Sequence, residues 1–314
     1  MNKKRLLGII ACLISVAVAA YFTLDHFELI GQKSQDVSKV YPAEQQQEIE
    51  ASVEKKSKKK PAAKVEKSAK VATEKKEVKK EVKKEATKQD SSSAEFFDKK
   101  MKEYGLVDIQ TLDKEIGVEL KYATTDNFVG KNMYGSLKRA YLIPDFAKRV
   151  VRAQKNLRKR NPKYSLLIYD AARPISVQRA MRKMVEGTPL QDFVADGKKG
   201  GRHNYGVAVD VTITDENGKP LDMGVGFDAF EEASAVKGTP DNSDPATRTV
   251  EVYTAFVRDL QTKGAISKEA ADNRLLLIEV MHEAGLYPYR REWWHFELID
   301  AMSKVRENYR LLDF

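Results

Sequence analysis

Residues 200–213 read Gly200-Gly201-Arg202-His203-Asn204-Tyr205-Gly206-Val207-Ala208-Val209-Asp210-Val211-Thr212-Ile213. The first half is a glycine-rich turn; the second, Val207 to Ile213, alternates as a strand. About eighty residues later, Glu292-Trp293-Trp294-His295 opens another strand-like run, Trp293 to Leu298. Each stretch sets a histidine beside a carboxylate at a strand edge, where ligand positions usually occur. Two imidazoles and a carboxylate are the set that a catalytic zinc uses when one position stays open for water. A further carboxylate three residues before the last ligand can act as general base.

The surrounding chain predicts mixed elements. Ser93 is placed to cap a short helix through Tyr104. Val107 to Tyr122 alternates as strand, interrupted near Asp113-Lys114. Pro144 to Arg160 carries Phe146, Val150, Val151, Ala153 and Leu157 at helical spacing, with a basic outer face. Tyr164 to Tyr169 is a short buried-strand run ending at Asp170. Helices are expected over Ile175 to Val185, Pro245 to Thr262 and Ser267 to Ala284. Strand and helix do not alternate regularly. An α+β domain with a mostly antiparallel central sheet flanked by helices is therefore expected over residues 94–314, not a doubly wound one.

The net charge of +9 is concentrated outside that domain. Residues 51–90 carry +8 and residues 1–50 carry −1, which leaves +2 for residues 91–314. A nearly neutral domain gives no footprint for nucleic acid. Residues 31–93 are poor in aromatic and large aliphatic side chains and rich in Lys, Glu and Ala, which predicts a disordered linker. As coil it would span on the order of 45 Å. Residues 1–30 hold Lys3-Lys4-Arg5 and the apolar run Leu6 to Leu24, expected to be either a membrane anchor or a signal peptide cleaved near Ala17-Val18-Ala19. A third reading takes Cys12, the single cysteine, as a lipid-modified residue. All three place the domain outside the cytoplasm, in the cell envelope.

Four histidines occur. His26 ends the apolar run, and His282 lies in the helical stretch Leu275 to Met281, expected to be satisfied on a helix face. His203 and His295 remain. His203 with Asp210, seven apart, is a weak metal signal alone, as is Glu292 with His295, three apart. Together they use both unassigned histidines. By their local sequence, Arg173 could equally be a surface salt-bridge residue, Asp228 a turn or helix cap, and Trp293 and Trp294 core or pocket wall.

These segments, with Lys121-Tyr122-Ala123-Thr124, Asp126-Asn127-Phe128, Tyr169-Asp170-Ala171-Ala172-Arg173-Pro174, Met223-Gly224 and Phe227-Asp228, resemble the zinc D,D-peptidases. That family includes the VanX-type D-alanyl-D-alanine dipeptidases and the VanY-type D,D-carboxypeptidases. The resemblance spans roughly residues 105–310 and favours the dipeptidase branch. It implies one Zn2+ per chain on His203, Asp210 and His295, Glu292 as catalytic base, and Arg173 against the developing oxyanion. It also implies Asp228 as receiver of the substrate ammonium, with Tyr122 beside it. The implied activity is hydrolysis of D-Ala-D-Ala or a related short dipeptide. The rivals are a carboxypeptidase or endopeptidase on peptidoglycan stem peptides, and a non-catalytic wall-binding module. Two positions depart from the pattern. Gly201 stands where the dipeptidases usually carry a serine for the substrate carboxylate, and Ala172 where tyrosine is frequent.

Overall fold

The strand after the glycine-rich turn is the middle of a five-stranded sheet. In the computed structural model, which describes residues 94–237 and 244–314, the helical residues 94–103 (α1) come first. They are followed by β1 (Val107–Asp108), β2 (Gly117–Val118), β3 (Tyr141–Leu142), α2 (Pro144–Arg160), β4 (Ser165–Asp170) and α3 (Ile175–Met184). Then come β5 (Ala208–Thr214), α4 (Val250–Thr262), α5 (Lys268–Glu283), β6 (Tyr287–Pro288), β7 (His295–Glu297) and α6 (Met302–Asn308). The large sheet has the order β2-β4-β5-β7-β6, and β1 pairs with β3 separately. Only β2 runs parallel to its neighbour; the other pairings are antiparallel. The expected α+β class with a mostly antiparallel sheet is what forms. The signal or anchor expected over residues 1–30 and the linker over 31–93 lie outside the described residues. Among the described residues no helix is long and apolar enough to cross a membrane.

The period-two pattern of β5 explains its central place. Val209, Val211 and Ile213 fall on one face and Asp210 and Thr212 on the other, all buried,. Helices α2 and α5 pack against β4 and β5. Helix α2 buries Phe146, Ala147, Val150, Ala153 and Leu157 along one stripe. It starts with Pro144 at its first turn and ends on Arg158, Lys159 and Arg160, charges suited to the negative end of the helix dipole,.

Three expected elements are shorter than their patterns. The run Val107 to Tyr122 yields only two two-residue strands, because aspartates supply local acceptors that compete with a ladder. Asp108 Oδ1 accepts from Gln110 N at 3.1 Å and Asp113 Oδ1 from Glu115 N at 3.0 Å. The helix expected from Pro245 starts at Val250, since Asp244 caps a separate turn at Pro245–Thr247 and Thr249 caps α4. The last strand is His295–Glu297, with Trp293 and Trp294 in the bend before it.

Register places the chemistry. Asp170 on β4 lies opposite Asp210 on β5, which lies opposite His295 on β7. Directly opposed residues in an antiparallel pair share a face, so these side chains form one row across three strands. Gly206 sets the entry to that row. It closes the turn Arg202–Tyr205 with φ +69°, and its carbonyl accepts from Ile143 N at 3.1 Å. A Cβ here would meet Leu106 Cδ2 at 3.0 Å. Gly206→Ala should therefore cost about 1–2 kcal/mol from the left-handed backbone alone. Differential scanning calorimetry should show a Tm lowered by roughly 2–8 °C in a domain this size; an unchanged Tm would contradict the assigned conformation.

Candidate active site

The row across the sheet and the turn before β5 bring three ligand-type atoms together. His203 Nε2 stands 3.1 Å from His295 Nδ1 and 3.3 Å from Asp210 Oδ1, and His295 Nδ1 stands 3.1 Å from the same oxygen. A tetrahedral ion with bonds of about 2.0–2.1 Å needs ligand atoms about 3.3 Å apart, so the triangle is of the right size. These three are the group of His, Cys, Asp and Glu side chains found converging in this way among the described residues.

The far nitrogen of each ring is already used. His203 Nδ1 lies 2.7 Å from the Ala171 carbonyl, and His295 Nε2 lies 3.2 Å from Glu297 Oε2. A carbonyl can only accept, so the His203 proton sits on Nδ1 and its Nε2 presents a lone pair. The carboxylate of Glu297 ties the far side of His295 in the same way, leaving Nδ1 as the atom that faces His203 and Asp210,. Burial opposes charge on His295, but hydrogen bonds to Asp210 and Glu297 prevail and push its pKa up to about 10. The site thus favours a cation at Nδ1, a proton or a metal ion competing for the same lone pair. Burial would raise the Asp210 pKa, yet His203 and His295 hold it below the ordinary aspartate value.

Glu297 is itself clamped. Its Oε2 meets Arg202 Nε at 2.8 Å, and its Oε1 meets Arg248 Nη2 at 3.1 Å. Burial is overcome by His295 and these arginines, and the carboxyl stays ionised. Arg173 is held in the same manner. Asp170, fully buried, accepts from Arg173 Nε at 3.0 Å and Nη2 at 2.5 Å, while Gln178 Oε1 accepts from Nη1 at 2.9 Å. Tyr134 donates to the other Asp170 oxygen at 2.8 Å. The guanidinium carbon stacks 4.9 Å from the Tyr122 ring centroid. Arg173 is thus a buried residue of the cavity and not the surface salt-bridge residue its local sequence allowed.

Glu292 is different: neither of its carboxylate oxygens accepts a hydrogen bond from a described residue, and the nearest charge is His295 Nδ1 at 3.9 Å. Burial pushes its pKa up to about 7, in the range a general base needs at neutral pH,. Asp228, at φ +61°, accepts from Tyr122 Oη at 3.1 Å and from Phe128 N at 3.3 Å. It caps no helix. Burial and the nearby Asp210 charge raise its pKa well above the ordinary value, so the site favours a cation beside it,.

All seven residues expected from the sequence line one cavity of about 430 Å³, a size suited to a small molecule,. Trp294 is part of its wall, and Trp293, also buried, donates to Val225 O at 3.1 Å. His282, expected to be satisfied, bonds to the Arg248 carbonyl at 3.2 Å. Gly201 also faces the cavity, and a Cβ there would stand 3.1 Å from Ala195 Cβ, so any side chain would crowd that loop. Sequence reading gave no role to Asp170, Gln178, Arg202, Tyr289 or Glu297. Glu297 had a usable signal, since two residues along a strand from His295 it must share that face. Arg202 and Arg248 reach it from distant segments and had none.

Comparison with known proteins points to a peptidase family. A peptidase family described as D-ala-D-ala dipeptidase matches residues 102–249 and 257–313. A D-alanyl-D-alanine dipeptidase of Escherichia coli (strain K12) is 33% identical over 201 residues, covering 63% of this chain and 86% of that protein. One from Synechocystis is 26% identical over 195 residues, covering 52% and 71%. One from Enterococcus faecalis is 25% identical over 199 residues, covering 58% and 85%.

If Glu297 fixes the His295 tautomer, Glu297→Ala should weaken divalent metal binding about 10- to 100-fold, as loss of an outer partner usually does. Competition against a chromogenic chelator measures this directly. Unchanged affinity would remove Glu297 from the metal site.

Proposed function

The chain belongs to the D-ala-D-ala dipeptidase family of peptidases, and on that premise we propose that it hydrolyses D-alanyl-D-alanine, or a closely related short D-amino-acid dipeptide, using one zinc ion. The observation that carries the reading is the convergence of His203 Nε2, Asp210 Oδ1 and His295 Nδ1 beside a carboxylate, Glu292, that has no hydrogen-bond partner of its own. Two imidazole nitrogens and a carboxylate oxygen are a donor set that suits zinc. Zinc held there supplies Lewis acidity toward water and the peptide carbonyl.

The chain's own residues do the rest. Glu292 takes one proton from the attacking water as its oxygen bonds to the amide carbon. As the C–N bond breaks, Glu292 passes that proton to the departing nitrogen, so two free amino acids leave and the carboxylate is restored. Arg173, fixed by Asp170 and Gln178, keeps spare N–H groups for the oxyanion, and its charge does not titrate away,. Asp228 receives the ammonium of the substrate, with Tyr122 completing that end of the cavity. An ammonium clamp in a small cavity favours free dipeptides over stem peptides whose corresponding nitrogen is acylated. We place the enzyme in the cell envelope, a reading that rests on Lys3-Lys4-Arg5 and the apolar run Leu6 to Leu24,.

Two measurements test this. In a turnover panel of D-Ala-D-Ala, L-Ala-D-Ala and an N-acylated stem peptide, the first should be strongly preferred; preference for the acylated peptide sinks the ammonium clamp. Glu292 must be ionised to act as base, so kcat/KM should fall as pH drops through its pKa. That limb should lie at or below the value of about 7, because a bound cation lowers it,. Glu292→Gln should cost about 10²- to 10⁴-fold in kcat and erase the limb; a variant that keeps both would overturn the mechanism.

A further inference from the structure

The turn that carries Glu292 also brings in Tyr289. Glu292 N donates to Tyr289 O at 3.2 Å, which closes the turn, and Tyr289 N donates to His295 O at 2.8 Å. Since Pro288 is opposite Phe296, Tyr289 is opposite His295 and its side chain joins the same row,. Its ring stands edge-on to the His295 ring with centroids 5.7 Å apart. Tyr289 lines the cavity together with Glu292, Arg173 and Asp210.

Two tyrosines line that cavity, and their hydroxyls are in opposite situations. The Tyr122 hydroxyl is committed to Asp228. The Tyr289 hydroxyl makes no hydrogen bond to any described residue and is not sealed from solvent. The backbone at Tyr289 is fixed through both its N–H and its carbonyl, so the ring is pre-positioned while the donor is left open. A phenol hydroxyl donates a hydrogen bond without changing its charge. A neutral donor held beside a ligand histidine and the base turn, on a cavity also lined by a fixed guanidinium, is arranged for charge that develops during reaction.

We propose that Tyr289 is a further catalytic residue, its hydroxyl donating a hydrogen bond to the oxyanion that forms as water adds to the scissile carbonyl. No bond is made or broken at the phenol, which keeps its proton throughout; Glu292 remains the group that moves the proton. This rests on the dipeptidase reading above. The binding energy is realised in the transition state and not with the ground-state peptide, so it belongs in kcat and not in KM.

The test is Tyr289→Phe in the full-length, zinc-loaded protein, which removes one oxygen and keeps the ring and both backbone bonds. With D-Ala-D-Ala, kcat should fall on the order of 100-fold with KM little changed. A phosphinate analogue of D-Ala-D-Ala, tetrahedral at phosphorus, should bind more weakly by the same factor in titration calorimetry. Zinc content and Tm should match wild type. A variant of full kcat, one that loses only KM, or one that loses zinc or melts early would overturn the assignment. Wild type inactive toward D-Ala-D-Ala would overturn the dipeptidase reading and this one with it. An active wild type with a fully active variant would remove Tyr289 alone.

Discussion

Two imidazole nitrogens 3.1 Å apart, each ring tied on its far side to a fixed acceptor, face one carboxylate oxygen. Asp210 Oδ1 lies 3.3 Å from His203 Nε2 and 3.1 Å from His295 Nδ1, so three electron-rich atoms converge where a cation is favoured. Much of the active-site architecture follows from holding that arrangement in place. The Ala171 carbonyl fixes one ring, and segments 171–173 and 203–204 are stapled by Arg173 N to His203 O at 3.0 Å and Asn204 Nδ2 to Arg173 O at 2.8 Å. Even the chain end contributes, with Leu312 N donating to Asn204 O at 2.8 Å.

Buried charge must be paired to persist, and the site does so in two separate circuits. Asp170 joins Arg173 to Tyr134 on one side, and Glu297 joins His295 to Arg202 and Arg248 on the other. Each circuit has a carboxylate at its centre and a functional group at its edge. Asp170 therefore orients a guanidinium, and Glu297 orients the His295 ring. Removing either carboxylate would leave a cation buried without its partner, which is why neither is free to serve as base. Glu292, with no arginine paired to it, is the carboxylate left for the proposed role of base.

How much of this was legible in the sequence depended on whether a partner was local. The strand around Asp210, the helix Pro144–Arg160 and the turn at Gly206 carry their own periodicity or conformational signal, and all form. His203 and His295 stood out because so few histidines exist. Val107 to Tyr122 misled, because its alternation is real but its aspartates fold back on the backbone. Arg173 could not be told from a surface residue by its local sequence alone, since its burial depends on Gln178, Tyr122 and the bulge that brings Asp170 opposite Asp210. The Glu297 clamp was invisible from local pattern, for Arg248 lies 49 residues away in sequence. Asp228 could not be separated from an ordinary cap without knowing that Tyr122, 106 residues distant, meets it.

The remaining distinction is between groups that folding satisfies and groups that it leaves open. The outer nitrogens of His203 and His295, three of the Arg173 N–H bonds and the Tyr122 hydroxyl are used within the protein, so their orientation is settled before a ligand arrives. The Glu292 carboxylate and the Tyr289 hydroxyl are not used, and both lie on one short turn whose backbone is bonded at Tyr289 O and N. Open groups on a fixed frame need little reorganisation when charge appears, which is where electrostatic catalysis gains most. Asp228 extends the same logic to binding. Held at φ +61° with Phe230 at φ +47° two residues on, it occupies a backbone conformation that costs free energy in a non-glycine residue,. That strain is offset by the contacts of Phe230 with Phe128, Phe193 and Trp294, which hold the loop so that a carboxylate faces the cavity with only neutral donors for company. Such a carboxylate lacks a cationic partner, which the ammonium of the proposed substrate would supply.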